Sequence, residues 1–397
     1  MDRSPPRTII AIDLMRFLAA LLVVGYHVDV AYWLSPSPHG APILAGHVAA
    51  STGNPLSRVG WIGVELFFVI SGSVIATSAR HADWRGFLRR RALRLAPAAW
   101  ICATLTLLLL LSTGLCSPGI LGPWLRSVAF WPVGEQIDGS YWTLGVECFF
   151  YLAVAAVIGD GRHPARLTML AWLIGLVSGG AWVASLAAPD AILPVMNNAT
   201  ATLMLLPHGI FFALGMMIAL LHQGDGEGSG ESTDDARPAP VRRLLPHIAM
   251  LVMMAGAGAI EINAHAAARA ASMHVPVSML LANALLGATV LGLIAAPWLQ
   301  RPLALLVTPG TARVLGMMTY PLYLLHQDGG AVVIARLLKG GVPLAMAKAM
   351  TVALMLALAW WVSARAEPLV RAQLARAFRP RRGRAPDNRP TAFPSIG

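Results

Sequence analysis

Arg16 and His27 stand eleven residues apart inside an otherwise apolar stretch, residues 9–33. At about 100° per residue, eleven positions make three turns and about 20° more, so both side chains leave one face of a helix. The helical rise separates them by about 16 Å along the axis. An imidazole can accept a proton or carry an acyl group, and a guanidinium grips phosphate with paired hydrogen bonds. Ionisable groups in a segment long enough to span a bilayer are costly and mark functional positions. Asp13, three residues before Arg16, is spaced to pair with it and lower that cost.

Two carboxylates extend the pattern. Glu65 opens an apolar stretch that runs Trp61-Ile62-Gly63-Val64-Glu65 and on to Ser71-Gly72; Glu147 opens another, Tyr141-Trp142-Thr143-Leu144-Gly145-Val146-Glu147. Read as helices entering from the side on which the first one ends, both acids fall within two turns of that surface, at the depth of His27. The expectation is that His27, Glu65 and Glu147 converge as a general base with orienting carboxylates. At the other membrane face, Arg89, Arg90, Arg91 and Arg94 precede Pro97. Arg91 and Arg94, three apart, are neighbours on a helical face and suit a phosphate, with Arg16 able to approach the same rim. The span from these arginines to His27 matches the pantetheine arm of coenzyme A, which points to a phosphate-bearing donor. In Thr319-Tyr320-Pro321-Leu322-Tyr323-Leu324-Leu325-His326, Pro321 frees backbone carbonyls in an apolar span, as at cavity linings, and His326 follows it. His208 reads as structural, and His39, His47, His265 and His274 fall in outer loops. Cys102, Cys116 and Cys148 lack metal-ligand spacing, and no metal is expected.

The elements that must position these groups are membrane helices. Of 397 residues, 56% are hydrophobic and only 12% charged, with mean hydropathy +0.64; soluble domains carry about a quarter charged residues. The expected fold is an all-α, polytopic transmembrane bundle of ten spans at 9–33, 61–79, 95–113, 141–158, 167–187, 201–221, 246–264, 277–296, 313–336 and 342–363. An even count with both termini cytoplasmic puts nearly all arginines inside, among them Arg80 to Arg94, Arg166, Arg242, Arg243, Arg301 and those from Arg365 onward. The first span is too long for a signal peptide and lacks a cleavage site, so it is retained. A flexible linker is expected over 222–245, a membrane domain over 1–363 and a basic cytoplasmic tail over 364–397, with an interfacial helix at 367–378. The net charge of +11 sits in short stretches beside apolar spans, which fits headgroups and topology rather than nucleic acid.

Ile12-Asp13-Leu14-Met15-Arg16 through Tyr26-His27 resembles the opening signature of the acyltransferase-3 family, in which Arg, ten residues, then His marks the first helix. Residues 64–72 are similar to its Phe-Phe-x-x-Ser-Gly segment, and Arg91, Arg94 and Pro97 to its paired-Arg motif. Residues 141–151 resemble its Trp-Ser/Thr-Leu-x-x-Glu-x-x-Phe-Tyr motif, in the form of the exopolysaccharide acetyltransferase branch, with Cys148 where many members carry a second acid. Residues 211–215, 319–326 and Glu367-Pro368 follow later patterns in the same order. The resemblance implies an O-acetyltransferase of the bacterial inner membrane, with acetyl-CoA or another acyl-CoA as donor and a hydroxyl of a cell-surface or exported carbohydrate as acceptor. It implies His27 as the catalytic centre, acting as base or transient acyl carrier. It assigns Arg16, Arg91 and Arg94 to the donor's phosphates, and Glu65 and Glu147 to orientation, with Asp13, Ser71, Trp142, Tyr323 and His326 in support. Rival readings are a macrolide-like acceptor, a transporter or flippase without transfer chemistry, and an acyl-CoA sensor.

Overall fold

The computed structural model describes residues 9–46, 52–115, 119–160, 164–224 and 241–377. Among the described residues every regular element is a helix. The helices that matter here are α1 (Ile10–Leu34), α2 (Gly63–Ala79), α3 (Trp84–Leu111), α4 (Trp142–Ile158), α5 (Pro164–Ala187), α6 (Gly209–Gly224), α7 (Val241–Met273), α8 (Met279–Leu306), α9 (Pro309–Leu325), α10 (Asp328–Lys339), α11 (Leu344–Trp361) and α12 (Glu367–Ala377). Eight of the described helices are long and apolar enough to cross a membrane. With hydrocarbon satisfying no backbone group, such helices are the form a spanning chain takes. The protein is an integral-membrane helix bundle.

The two remaining expected spans are shorter than sequence reading placed them. The sixth, expected at 201–221, is α6, with 16 residues. Leu205 sits at φ +64° and Pro207 follows, so helix cannot run through this corner. Ile210, Phe211, Phe212, Leu214 and Met217 of α6 are fully enclosed, as befits a helix that is apolar on every side. The ninth, expected over 313–336, breaks into α9 and α10 at His326-Gln327. Tertiary partners meet the backbone needs there: the Tyr32 hydroxyl donates to the His326 carbonyl, and the Asp328 N–H donates to Asp138 Oδ2 at 2.8 Å.

α1 lies at the centre, packed on α2, α8 and α9. On one side α2 packs on α6, which in turn meets α5 and α7; on the other, α9 meets α3 and α11. Each side has its own apolar core. The α2–α6 contact is backbone-close: a Cβ on Gly72 would overlap the Phe212 carbonyl, and one on Gly215 the Val69 carbonyl. Small residues let helices approach in this way. α7, expected to end at 264, continues to Met273. α12 follows α11 through a π turn, Val362–Ala366, where an interfacial helix over 367–378 was expected. Most of the expected linker, residues 225–240, lies outside the described residues, as do Cys116, His47 and the tail from 378.

Candidate active site

Two cavities open along α1. The larger, about 740 Å³, collects Arg16, Arg90, Arg91, Arg94, Arg313 and Arg371 with Asp13 and Glu147. Helical spacing explains how α3 supplies three of these: Arg90, Arg91 and Arg94 fall on adjoining faces of one turn. Arg91 Nη2 donates to Ser78 Oγ at 2.9 Å, and its guanidinium stands 5.4 Å from the Phe87 ring and 5.8 Å from that of Tyr151. Arg371 Nε donates to the Leu93 carbonyl at 3.1 Å, while its Nη2 pairs with Glu367. Glu147 Oε1 accepts from Ser71 Oγ at 3.3 Å and from the Tyr151 hydroxyl. The buried Tyr320 hydroxyl, also on this cavity, has no hydrogen-bond partner among the described residues.

The smaller cavity, about 310 Å³, is lined by His27, Glu65, His208, His265 and Arg269, with Trp61, Trp142 and Gln327 around them. His27 opens a π turn, His27–Ala31, within the last part of α1; π turns inside α-helices recur at functional positions. Its Nδ1 lies 2.9 Å from the Val23 carbonyl oxygen and 3.0 Å from His326 Nε2. Glu261, His265 and Arg269 recur every four residues on α7, so one face carries all three toward α2. His208 Nδ1 lies 2.8 Å from Glu261 Oε1. His265 Nδ1 is 3.8 Å from Glu261 and 4.0 Å from Glu65. Among the described residues, Glu65 Oε2, Glu261 Oε2 and His265 Nδ1 have no hydrogen-bond partner although all three are buried. One ligand atom from each of Glu65, Glu261 and His265 falls within 4.8 Å of the others, a grouping that could hold a cation. The Arg269 guanidinium, 4.2 Å over the Trp61 ring, already faces the cluster with a fixed positive charge.

Val64 and Tyr323 line both cavities and form the wall between them. The Tyr323 ring stands edge-on to Phe67 at 5.6 Å between centroids and 5.6 Å from that of His326. Beside the smaller cavity, Asp138 and Asp328 latch three segments together. The Gly139 N–H donates to Asp328 Oδ2 at 2.9 Å, Ser140 Oγ donates to Asp138 Oδ1 at 2.6 Å, and Ser37 Oγ donates to Asp328. Burial, and then the neighbouring Asp328 carboxylate, push Asp138 up to about 7.

The structure divides the residues that sequence spacing grouped. Arg16, Arg91, Arg94, Asp13, Ser71 and Glu147 share the Arg-lined cavity; His27, Glu65 and Trp142 share the other; Tyr323 borders both. Glu147 does not join His27 and Glu65. It lies five residues into α4, whereas Glu65 lies two into α2, and that difference is about 4–5 Å of helical rise. Asp13 and Arg16, one turn apart on α1, both line the cavity without closing an ion pair. His265 is not in a loop but on α7, inside the site. His208, read as structural, hydrogen-bonds Glu261 and lines the cavity. Sequence reasoning missed Glu261, Arg90, Arg269, Arg313 and Arg371. The four-residue spacing of Glu261, His265 and Arg269 was the available signal, obscured by ending the seventh span at 264.

No curated protein and no solved structure matches the chain. The family profile described as an acyltransferase domain matches residues 9–364, which include every residue that lines the two cavities except Arg371. With that match running through both cavities, the chain belongs to the acyltransferase-3 family.

Proposed function

We propose that the protein is an O-acetyltransferase of a bacterial inner membrane. In this reading it moves an acetyl group from acetyl-CoA, bound on the arginine-rich side, to a hydroxyl of an exported or cell-surface carbohydrate at His27. The observation that carries this reading is the pair of cavities divided only by a wall that Val64 and Tyr323 share. Guanidinium groups in a water-poor cleft suit the diphosphate and 3′-phosphate of coenzyme A. The thioester end, led past Val64 and Tyr323, then meets His27. The acceptor oxygen attacks the thioester carbonyl, a C–O bond forms as the C–S bond breaks, and the hydroxyl proton passes through His27 to the departing thiolate.

The smaller cavity supports a hydroxyl-rich acceptor. Glu65 and Glu261 hold buried carboxylate oxygens without donors, and hydroxyl groups are the donors such oxygens lack. Trp61 and Trp142 line the same cavity, each an apolar ring system with a polar N–H. A macrolide-like acceptor would bring more apolar surface and fewer donors to the same oxygens. Glu147, held by Ser71 and Tyr151 on the donor side, is assigned to ordering Arg16 and the donor rather than the acceptor.

The test is CoA release together with transfer of radiolabelled acetyl from acetyl-CoA, by purified protein in lipid with extracted surface polysaccharide, wild type against His27→Ala. Label on carbohydrate with wild type alone supports the proposal. No CoA release from folded wild type, with acetyl or longer donors and varied acceptors, refutes it in favour of transport. Equal activity in His27→Ala removes His27 from the centre.

A further inference from the structure

We propose that His326 is a positioning residue that holds His27 in its Nδ1–H tautomer. His27 Nε2 is then the atom that takes the acceptor's proton, and His326 supports the imidazolium that results. The inference rests on His27 acting as the base.

The argument is a count of protons among four atoms. His326 Nδ1 lies 2.7 Å from the Tyr323 carbonyl oxygen. A carbonyl only accepts, so the hydrogen is on His326 Nδ1, and neutral His326 presents a lone pair at Nε2. His27 Nδ1 lies 2.9 Å from the Val23 carbonyl oxygen, so it too carries its hydrogen. His326 Nε2, 3.0 Å from that same Nδ1, is a second acceptor for it. One N–H is shared by two acceptors, and the arrangement closes without conflict. The opposite tautomer of His27 would point three lone pairs at one another with no hydrogen between them. Since Nδ1 is committed, the only basic nitrogen of His27 is Nε2.

The backbone is shaped for this contact. His27 begins the π turn of α1, and His326 stands at the break between α9 and α10. Two helical irregularities therefore bring the imidazoles together from residues 299 positions apart. The rings meet at 75° with centroids 4.7 Å apart. His326 is fully buried, and its carbonyl is held by the Tyr32 hydroxyl, so the acceptor is fixed before substrate arrives. A fixed partner behind a histidine base sets which nitrogen is free and where it points.

During transfer the hydroxyl oxygen bonds to the thioester carbon, the hydroxyl proton goes to His27 Nε2 and the C–S bond breaks. His27 then holds hydrogens on both nitrogens, with Nδ1–H directed to Val23 O and His326 Nε2. The Nε2 proton passes to the CoA thiolate and the starting tautomer returns. His326 neither gains nor loses a proton.

Two substitutions in the full chain, reconstituted in lipid, test this. His326→Leu removes the acceptor, and His326→Gln places an amide oxygen near the lost Nε2. The expected result is a roughly 100-fold lower kcat for acetyl-CoA turnover in His326→Leu, with KM for acetyl-CoA within about twofold of wild type, and about tenfold of the loss regained in His326→Gln. A kcat for His326→Leu within about threefold of wild type overturns the proposal. So does a glutamine variant no better than leucine when both bind acetyl-CoA as wild type does. ¹⁵N solid-state NMR of histidine-labelled protein, with His27 assigned by loss of signal in His27→Asn, reads the tautomer without turnover. A protonated Nδ1 and bare Nε2 on His27 are expected, and a protonated Nε2 overturns the proposal whatever the activity. Because the spectrum needs no substrate, failure of the transferase reading and failure of this inference are told apart.

Discussion

The two cavities meet at one wall yet are built from opposite materials. The larger has six arginines around it, steadied by a serine hydroxyl, a backbone carbonyl and ring faces, with Asp13 and Glu147 as the acids. The smaller has three histidines, two tryptophans and a single arginine, and the carboxylates beside it keep unpartnered oxygens. A surplus of fixed positive charge waits for an anion. Orphaned acceptors in an aromatic setting wait for neutral donors. Under the proposed function the charged donor takes the first side and the polyhydroxyl acceptor the second, with the reacting imidazole on the acceptor side.

If that division is right, substitutions should separate by cavity. His27→Ala should produce the largest effect, a fall in acetyl transfer of about 10³-fold with acetyl-CoA binding retained, read by CoA release and by equilibrium binding. Next, Arg91→Ala and Arg94→Ala should each raise KM for acetyl-CoA by roughly 10- to 50-fold, the cost of a charged hydrogen bond, while KM for the acceptor holds. Glu261→Gln should do the reverse, raising acceptor KM about tenfold with the acetyl-CoA KM unchanged; equal effects on both would break the comparison. At the wall, Val64→Ala should raise turnover of butyryl-CoA relative to acetyl-CoA by a few-fold, about the worth of one or two methylenes of space.

The smallest effect concerns the Asp138–Asp328 latch beside the smaller cavity. Asp138 is pushed up to about 7, above the usual aspartate value of about 3.9. The folded state therefore holds this proton more tightly than the unfolded chain. Its contribution to stability is complete below about pH 4 and is lost as pH rises through about 7. Thermal unfolding followed by tryptophan fluorescence should show a lower midpoint at pH 8 than at pH 6, and Asp138→Asn should flatten that difference.

Much of this was legible in the residues. Hydropathy and arginine placement gave the helical bundle, because bilayer length and positive charge at span ends leave strong one-dimensional signals. Arg16 and His27 stand on α1 as the sequence indicated, but they line different cavities. Helix depth was less legible. Glu147 carries the same local pattern as Glu65, and a three-residue turn precedes both helices, so the sequence does not announce that the two acids line different cavities. Glu261 fell inside the expected span 246–264 and was legible as an acid in a membrane segment; its grouping with His265 and Arg269 was hidden because Ala-rich sequence past residue 264 reads equally as loop or helix. The break at His326 was invisible, since Asp138, some 190 positions away, and Tyr32, 294 away, hold it in place.

The central claim is that an acyl group enters at one membrane face and is used at the other. Proteoliposomes carrying acceptor polysaccharide only in the lumen, supplied with radiolabelled acetyl-CoA only outside, test it most directly. The account predicts label on the enclosed carbohydrate with wild-type protein and none with His27→Ala. Label that appears only when donor and acceptor are on the same side of the membrane would contradict it.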